Sequence, residues 1–173
     1  AEIVWTAVPA LTMIFLGIYS GRIWAEIRSP GSFPEDALTI DVTAKQFEWN
    51  VTYPGADREL GNDDDFTIRN RLVVPSGEPV VVHLRSEDVI HSFFVPQLRV
   101  KQDAVPGMTI PVWFEATEAG EYQIACAELC GNGHYSMRAT VVIEELDAYD
   151  RWYDEQTGAA ASDEGAAQTA AAD

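Results

Sequence analysis

The sequence predicts an all-β barrel or sandwich preceded by a single N-terminal transmembrane helix. Three observations lead there: an apolar run at the start of the chain, a later series of short segments rich in β-branched and aromatic residues, and no amphipathic helical periodicity between those segments. With 173 residues, 47% of them hydrophobic, the chain can bury one core of ordinary size and carry appendages.

Residues 1–28 are the expected membrane helix. Ile3 to Trp24 is apolar except for Thr6, Thr12, Ser20 and Arg22, and as a helix it would extend about 33 Å, enough for a bilayer. Trp5, Tyr19 and Trp24 fall where interfacial aromatics belong. A signal peptide is the competing reading, but its apolar part is normally roughly 7–15 residues and follows basic residues, which are missing before this run. Residues 29–38, which include the Pro, Gly and Ser of Ser29 to Pro34, form a linker.

The β domain spans residues 39–153. Thr39 to Tyr53 reads as one strand with a slip of register near Ala44, as a bulge would give. Further strands are expected at Phe66 to Val74, Pro79 to Arg85, Ile110 to Glu115, Glu121 to Ala125 and Arg138 to Glu144, with His91 on a segment leading to Pro96. Turn residues separate them, and this spacing argues for an antiparallel sandwich or barrel. Leu146, Tyr149, Trp152 and Tyr153 stand near helical spacing and suggest a closing helical turn. Residues 154–173 are Ala, Gly, Ser, Gln and acids, too poor in large apolar groups for a core, and read as a tail or linker.

A net charge of −17 excludes a nucleic-acid partner, whose phosphates would be repelled, and favours a basic partner or simple solubility. The acidic run Asp57, Glu59, Asp63, Asp64 and Asp65 lacks the alternating spacing of a calcium loop and reads as a solvated turn.

Chemistry concentrates in CAELCGNGHYSM, which places Cys126, Glu128, Cys130, His134 and Met137 together. Thiolate and thioether sulfur select reduced copper while imidazole suits both redox states, so this mixture points to a redox copper site. Zinc held by Cys and His, or a local disulfide, are the alternatives. Zinc gains nothing from Met137, and a disulfide leaves His91, His134 and Met137 unexplained. One thiolate suffices for a mononuclear blue-copper site, whereas two thiolates are what a bridged copper pair needs. A further ligand must come from upstream. Of the three histidines, His83 alternates with Val82 and Leu84 and shares the outward phase of Arg85, while His91 in SEDVIHSFFVP is flanked by apolar residues and is the better candidate. Gly131 and Gly133 would let the loop bend back over the metals.

With these residues in view, the chain resembles subunit II of the heme-copper cytochrome c oxidases. The resemblance rests on C-x-E-x-C-x-x-x-H-x-x-M in the loop, on SEDVIHSFFVPQLRVKQDAVPG upstream and on EIVWTAVPAL at the start, and runs from Glu2 to about Trp152. It implies a cupredoxin-like Greek-key barrel outside a bacterial plasma membrane, carrying binuclear CuA. Cys126 and Cys130 would bridge the coppers, His91 and His134 would each bind one, Met137 would complete one and the carbonyl of Glu128 the other. The Glu128 carboxylate would face a magnesium site shared with subunit I.

The same resemblance implies partners: subunit I and other oxidase subunits, the lipid membrane, and a cytochrome c, soluble or tethered, as donor. In KQFEWN the family's electron-receiving Trp is replaced by Phe47, leaving Trp49 as a substitute. Glu87 and Asp88 match positions near the donor. Glu2 matches a carboxylate at the inner mouth of a proton pathway, although an acid at a helix N-terminus is also stabilised by the helix dipole. Family members have two anchor helices, and this one corresponds to the second. Arg22 and Arg28 after it would by charge favour the cytoplasmic side, whereas the resemblance places that end outside.

The chain by itself cannot reduce oxygen, since two of its three histidines are spent on copper. The alternatives are the CuA domain of a nitrous oxide reductase, which gives no reason for Ile3 to Trp24, a quinol-oxidase subunit II, which lacks copper ligands, and a copper delivery or storage protein. No C-x-x-C-H haem motif occurs.

Overall fold

The computed structural model describes residues 1–158, so most of the expected tail at 154–173 lies outside the described residues. The chain divides into two units, one ending at Glu35 and the other beginning at Asp36.

In the first unit, α1 (Glu2–Arg28) contains no buried residue and is long and apolar enough to cross a membrane. Its few hydroxyls are satisfied inside the helix: Thr6 donates to the Glu2 carbonyl at 3.0 Å and Thr12 to that of Val8 at 2.9 Å. Such internal bonds remove the cost of polar groups in an apolar surrounding.

The second unit is a sandwich of two five-stranded sheets, containing β1 (Leu38–Lys45), β2 (Glu48–Tyr53), β3 (Phe66–Arg69), β4 (Arg71–Pro75), β5 (Pro79–Ser86), β6 (His91–Val95), β7 (Val100–Ala104), β8 (Ile110–Glu115), β9 (Gly120–Cys126) and β10 (Arg138–Glu144). One sheet runs β3-β2-β1-β5-β8 and the other β4-β10-β9-β6-β7. Inward residues alternate as strand geometry demands, with Ile40, Val42 and Ala44 of β1 and Val80, Val82 and Leu84 of the neighbouring β5 turned into the same interior as Phe93, Ile124 and Val141 of the other sheet. The helix α2 (Leu146–Thr157) covers the outer side of β4 and β10, burying Tyr149 and Tyr153 against Val73 and Val142.

Four expectations change. Thr39 to Tyr53 is two strands: Lys45 pairs with Glu48 and Ala44 with Trp49, so the slip of register is a hairpin turn at Gln46 and Phe47. Phe66 to Val74 is also two strands in different sheets. Asn70, at φ 57, turns the chain between them, accepts Trp49 N on its side-chain oxygen at 2.8 Å, and passes its own N–H to the Trp49 carbonyl. Asn tolerates this left-handed backbone better than most residues. The sheets are mixed, since β1 pairs with β5 and β4 with β10 in parallel. Finally, β7 escaped the sequence reading because it is a polar edge strand, with only Val100 and Ala104 buried.

Tyr53 links the two sheets. Its hydroxyl accepts Val73 N at 2.6 Å and donates to the Val73 carbonyl at 3.0 Å, and burial holds its phenol above the ordinary range.

Candidate metal centre

Three segments meet at one end of the sandwich: the start of β6, the loop between β9 and β10, and the β1–β2 turn. Phe93 stands in register with Cys126, which brings His91, two residues earlier, beside the loop. At the loop base Cys126 N donates to the Met137 carbonyl at 3.2 Å. Between them His134–Ser136 forms a single helical turn.

The side chains converge. The thiol sulfurs of Cys126 and Cys130 lie 3.7 Å apart and both residues are buried. His91 Nδ1 is 3.9 Å from Cys126 Sγ, His134 Nδ1 is 3.6 Å from Cys130 Sγ, and Met137 Sδ is 3.7 Å from Cys130 Sγ. The Glu128 carbonyl is 3.2 Å from Cys126 Sγ, while its carboxylate side is exposed. His91, Cys126 and Cys130 form the group of His, Cys and acidic residues close enough to share one ion. Three sulfurs and two imidazole nitrogens joined by contacts of 3.6–3.9 Å fit a soft redox metal, and copper before all.

His91 is fully buried, and its other nitrogen, Nε2, is 2.8 Å from Asp88 Oδ1. A carboxylate only accepts, so Nε2 carries the proton and the Nδ1 lone pair is left facing Cys126. Burial opposes ionisation of Asp88, but hydrogen bonds from His91, Gln46 N and Val89 N outweigh it and hold the carboxyl below its ordinary range. Burial, the adjoining Cys126 thiol and the charge of Asp88 push the Cys130 thiol up to about 11. Metal binding must therefore displace a firmly held proton.

The other candidates lie as follows. His83 is outside this cluster, paired with Asp41 at 3.2 Å on the face of the first sheet. Glu87 is exposed, and Glu2 sits exposed in the first turn of α1. Trp49 is completely buried, with ring contacts to His91 and Phe93, and Phe47 of the pair reaches the surface. Trp49 alternates inward on β2, whereas Phe47 stands on the turn. Asp88, expected at a donor-docking rim, is exposed and its carboxylate also pairs with His91.

Sequence reasoning missed Gln46, whose side-chain amide donates to the Cys130 carbonyl at 2.5 Å. It also missed Leu129 and Tyr135, which are 78% and 84% exposed beside the ligands. Glycine at 133 has a different reason from loop bending: its φ is ordinary, and the ring of Phe47 fills the space. Gly131, at φ +136, does need its missing side chain for the bend.

Residues 38–146 match the family model described as cytochrome c oxidase subunit II, periplasmic domain. The chain is 37% identical over 145 residues to an alternative cytochrome c oxidase subunit 2 of Bradyrhizobium diazoefficiens, covering 71% of this chain and 52% of that one. The periplasmic domain of subunit II of cytochrome oxidase from Bradyrhizobium japonicum superposes with a TM-score of 0.64 at 29% identity, covering 72% of this chain and 96% of that one. A second structure, a mixed-disulfide intermediate between a thioredoxin-like protein and subunit II of cytochrome c oxidase, gives a TM-score of 0.59 at 31% identity over 70% of this chain and 92% of that one. The chain spans about half the length of the curated relatives it matches.

Proposed function

The chain belongs to the cytochrome c oxidase subunit II family, and from that premise we propose that it is the electron-accepting subunit of a membrane-bound oxidase. It takes electrons singly from a cytochrome c at binuclear copper and passes them to heme in subunit I, where oxygen is reduced with proton pumping. The observation that carries this reading is the pair of buried thiols 3.7 Å apart, flanked by an imidazole nitrogen on each side. Copper held there would supply one-electron chemistry, and the two thiolates offered together would let that electron be shared between two metals with little rearrangement.

The protein's own part is to hold the donors still. Cys126 and Cys130 would hold the metal through their thiolates, His91 and His134 would each offer Nδ1, Met137 would supply the weak thioether, and the Glu128 carbonyl would complete the set. The sandwich keeps water from the sulfurs, since Cys126, Cys130 and Met137 are all buried. The exposed Glu128 carboxylate would hold magnesium at the contact with subunit I, and Leu129 and Tyr135 supply apolar area for docking. Phe47 is the surface aromatic at which electrons arrive, Glu87 attracts a basic donor, and Glu2 opens a proton pathway from the inner side. The helix α1 anchors the chain in a bacterial plasma membrane with the copper domain outside. Oxidised to a disulfide, the cysteines could not ligate copper, and a thioredoxin-like reductant of the kind captured with the relative would restore them.

Paramagnetic resonance of the full chain, loaded with copper in detergent, tests the reading. Hyperfine structure from two equivalent copper nuclei is expected. Cys126→Ser or Cys130→Ser should abolish it, Met137→Leu should keep copper with an altered potential, and His83→Ala should be silent. A single-copper spectrum from the unaltered chain would overturn the assignment.

A further inference from the structure

Asp88 and Gln46 share one hydrogen bond and reach both sides of the candidate centre. Asp88 Oδ1 takes the Nε2 proton of His91 at 2.8 Å, while Oδ2 accepts Gln46 N at 2.7 Å. The Gln46 side-chain amide then donates to the Cys130 carbonyl at 2.5 Å. A continuous strap therefore runs from His91 through Asp88 and the β1–β2 turn to the backbone of Cys130. A third bond, from Val89 N at 2.6 Å to Oδ1, fixes the carboxylate from its own segment.

Glu87 provides the contrast. It stands one residue away with the same charge, and its side chain is exposed. Both residues are exposed, but the Asp88 oxygens also accept hydrogen bonds from His91 and Gln46, so the two are not interchangeable. Gly131 keeps the strap in place from the other side: a Cβ there would lie 2.6 Å from Gln46 Nε2.

Resting on the copper reading above, we propose that Asp88 and Gln46 are positioning residues of the metal centre. Asp88 fixes the His91 tautomer that leaves Nδ1 free to ligate, and Gln46 fixes the Cys130 backbone. Because the middle of the strap is the turn that carries Phe47, the same bonds hold the electron-receiving ring in register with both ligands. Groups behind a ligand orient it and raise its basicity, and losing one typically costs about 10–100-fold in metal affinity.

The test uses the full chain in detergent with Asp88→Ala, Asp88→Asn, Gln46→Leu and the control Glu87→Gln. Long-range proton–nitrogen correlation spectra of the metal-free chain report the His91 tautomer. The unaltered chain and Glu87→Gln should show only Nε2–H, whereas Asp88→Ala should show both tautomers and bind copper about 10–100-fold more weakly. Asp88→Asn keeps the shape but offers one acceptor in place of two, and should fall between Asp88→Ala and the control. This variant decides the matter if Asp88→Ala does not fold. Gln46→Leu should keep the tautomer and alter the copper hyperfine pattern. Variants of Asp88 that match Glu87→Gln in tautomer and affinity would overturn the role of Asp88, and an unchanged Gln46→Leu spectrum that of Gln46. The tautomer is read without metal, so failure of the unaltered chain to bind two coppers would count against the proposed function alone.

Discussion

A Cβ on Gly133 would lie 2.5 Å from Phe47 Cδ2, so the ring on the β1–β2 turn occupies the space that a side chain in the ligand loop would need. This packing joins the expected electron-receiving aromatic to the backbone just before His134.

Gly133→Ala should therefore push the ring aside and disturb the loop, at about 1–3 kcal/mol if the crowding is not relieved. Removing the ring as well, in Gly133→Ala with Phe47→Ala, should recover most of that loss. Thermal unfolding of the four chains as a double-mutant cycle measures the coupling, and additive effects would show that ring and loop do not touch.

Trp49 and Phe47 should separate by the kind of damage done. Trp49 is fully buried and Phe47 is 36% exposed. Trp49→Ala should cost about 3–5 kcal/mol of stability, as truncation of a core aromatic does. Phe47→Ala should cost far less and slow electron uptake, read by stopped-flow reduction against the unfolding midpoint.

The raised Cys130 thiol predicts a pH response in the metal-free chain. With the group pushed from 9.0 to about 11, the folded state holds its proton longer than the unfolded state does. The contribution of Cys130 to stability should then fall as pH rises past 9 and be lost near 11, ahead of the decline from the buried tyrosines. Cys130→Ser should remove the part of the decline that falls between pH 9 and about 11 from thermal melts. Alkylation of Cys130 should be slow at neutral pH and rise with alkalinity, since the thiolate is the nucleophile.

Glu87→Gln isolates docking from the copper ligands. The rate of reduction by a basic cytochrome c should fall at low salt, and the difference from the unaltered chain should shrink as the screening length drops below about 8 Å. A rate indifferent to both charge and salt would point to a covalently attached donor.

Much of the protein is written locally. The run from Ile3 to Trp24 specifies a helix that has no buried face, because membrane length and apolar composition are properties of a contiguous segment. Strands such as Ile110–Glu115 and Arg138–Glu144 fall where alternation predicts them. Cys126, Cys130, His134 and Met137 advertise their chemistry through ligand type and spacing within one loop. What remained hidden depends on distant partners. The turn at Gln46 passed for a bulge because alternation alone does not register a reversal of the chain, and the crossing at Asn70 became visible only through its bonds to Trp49. Asp88 read as a surface charge because residue type and position give no direction to a carboxylate. Only the fold, by bringing residues 46, 88, 91 and 130 together, set its two oxygens against His91 and Gln46, where one of them satisfies the ring N–H of a fully buried histidine.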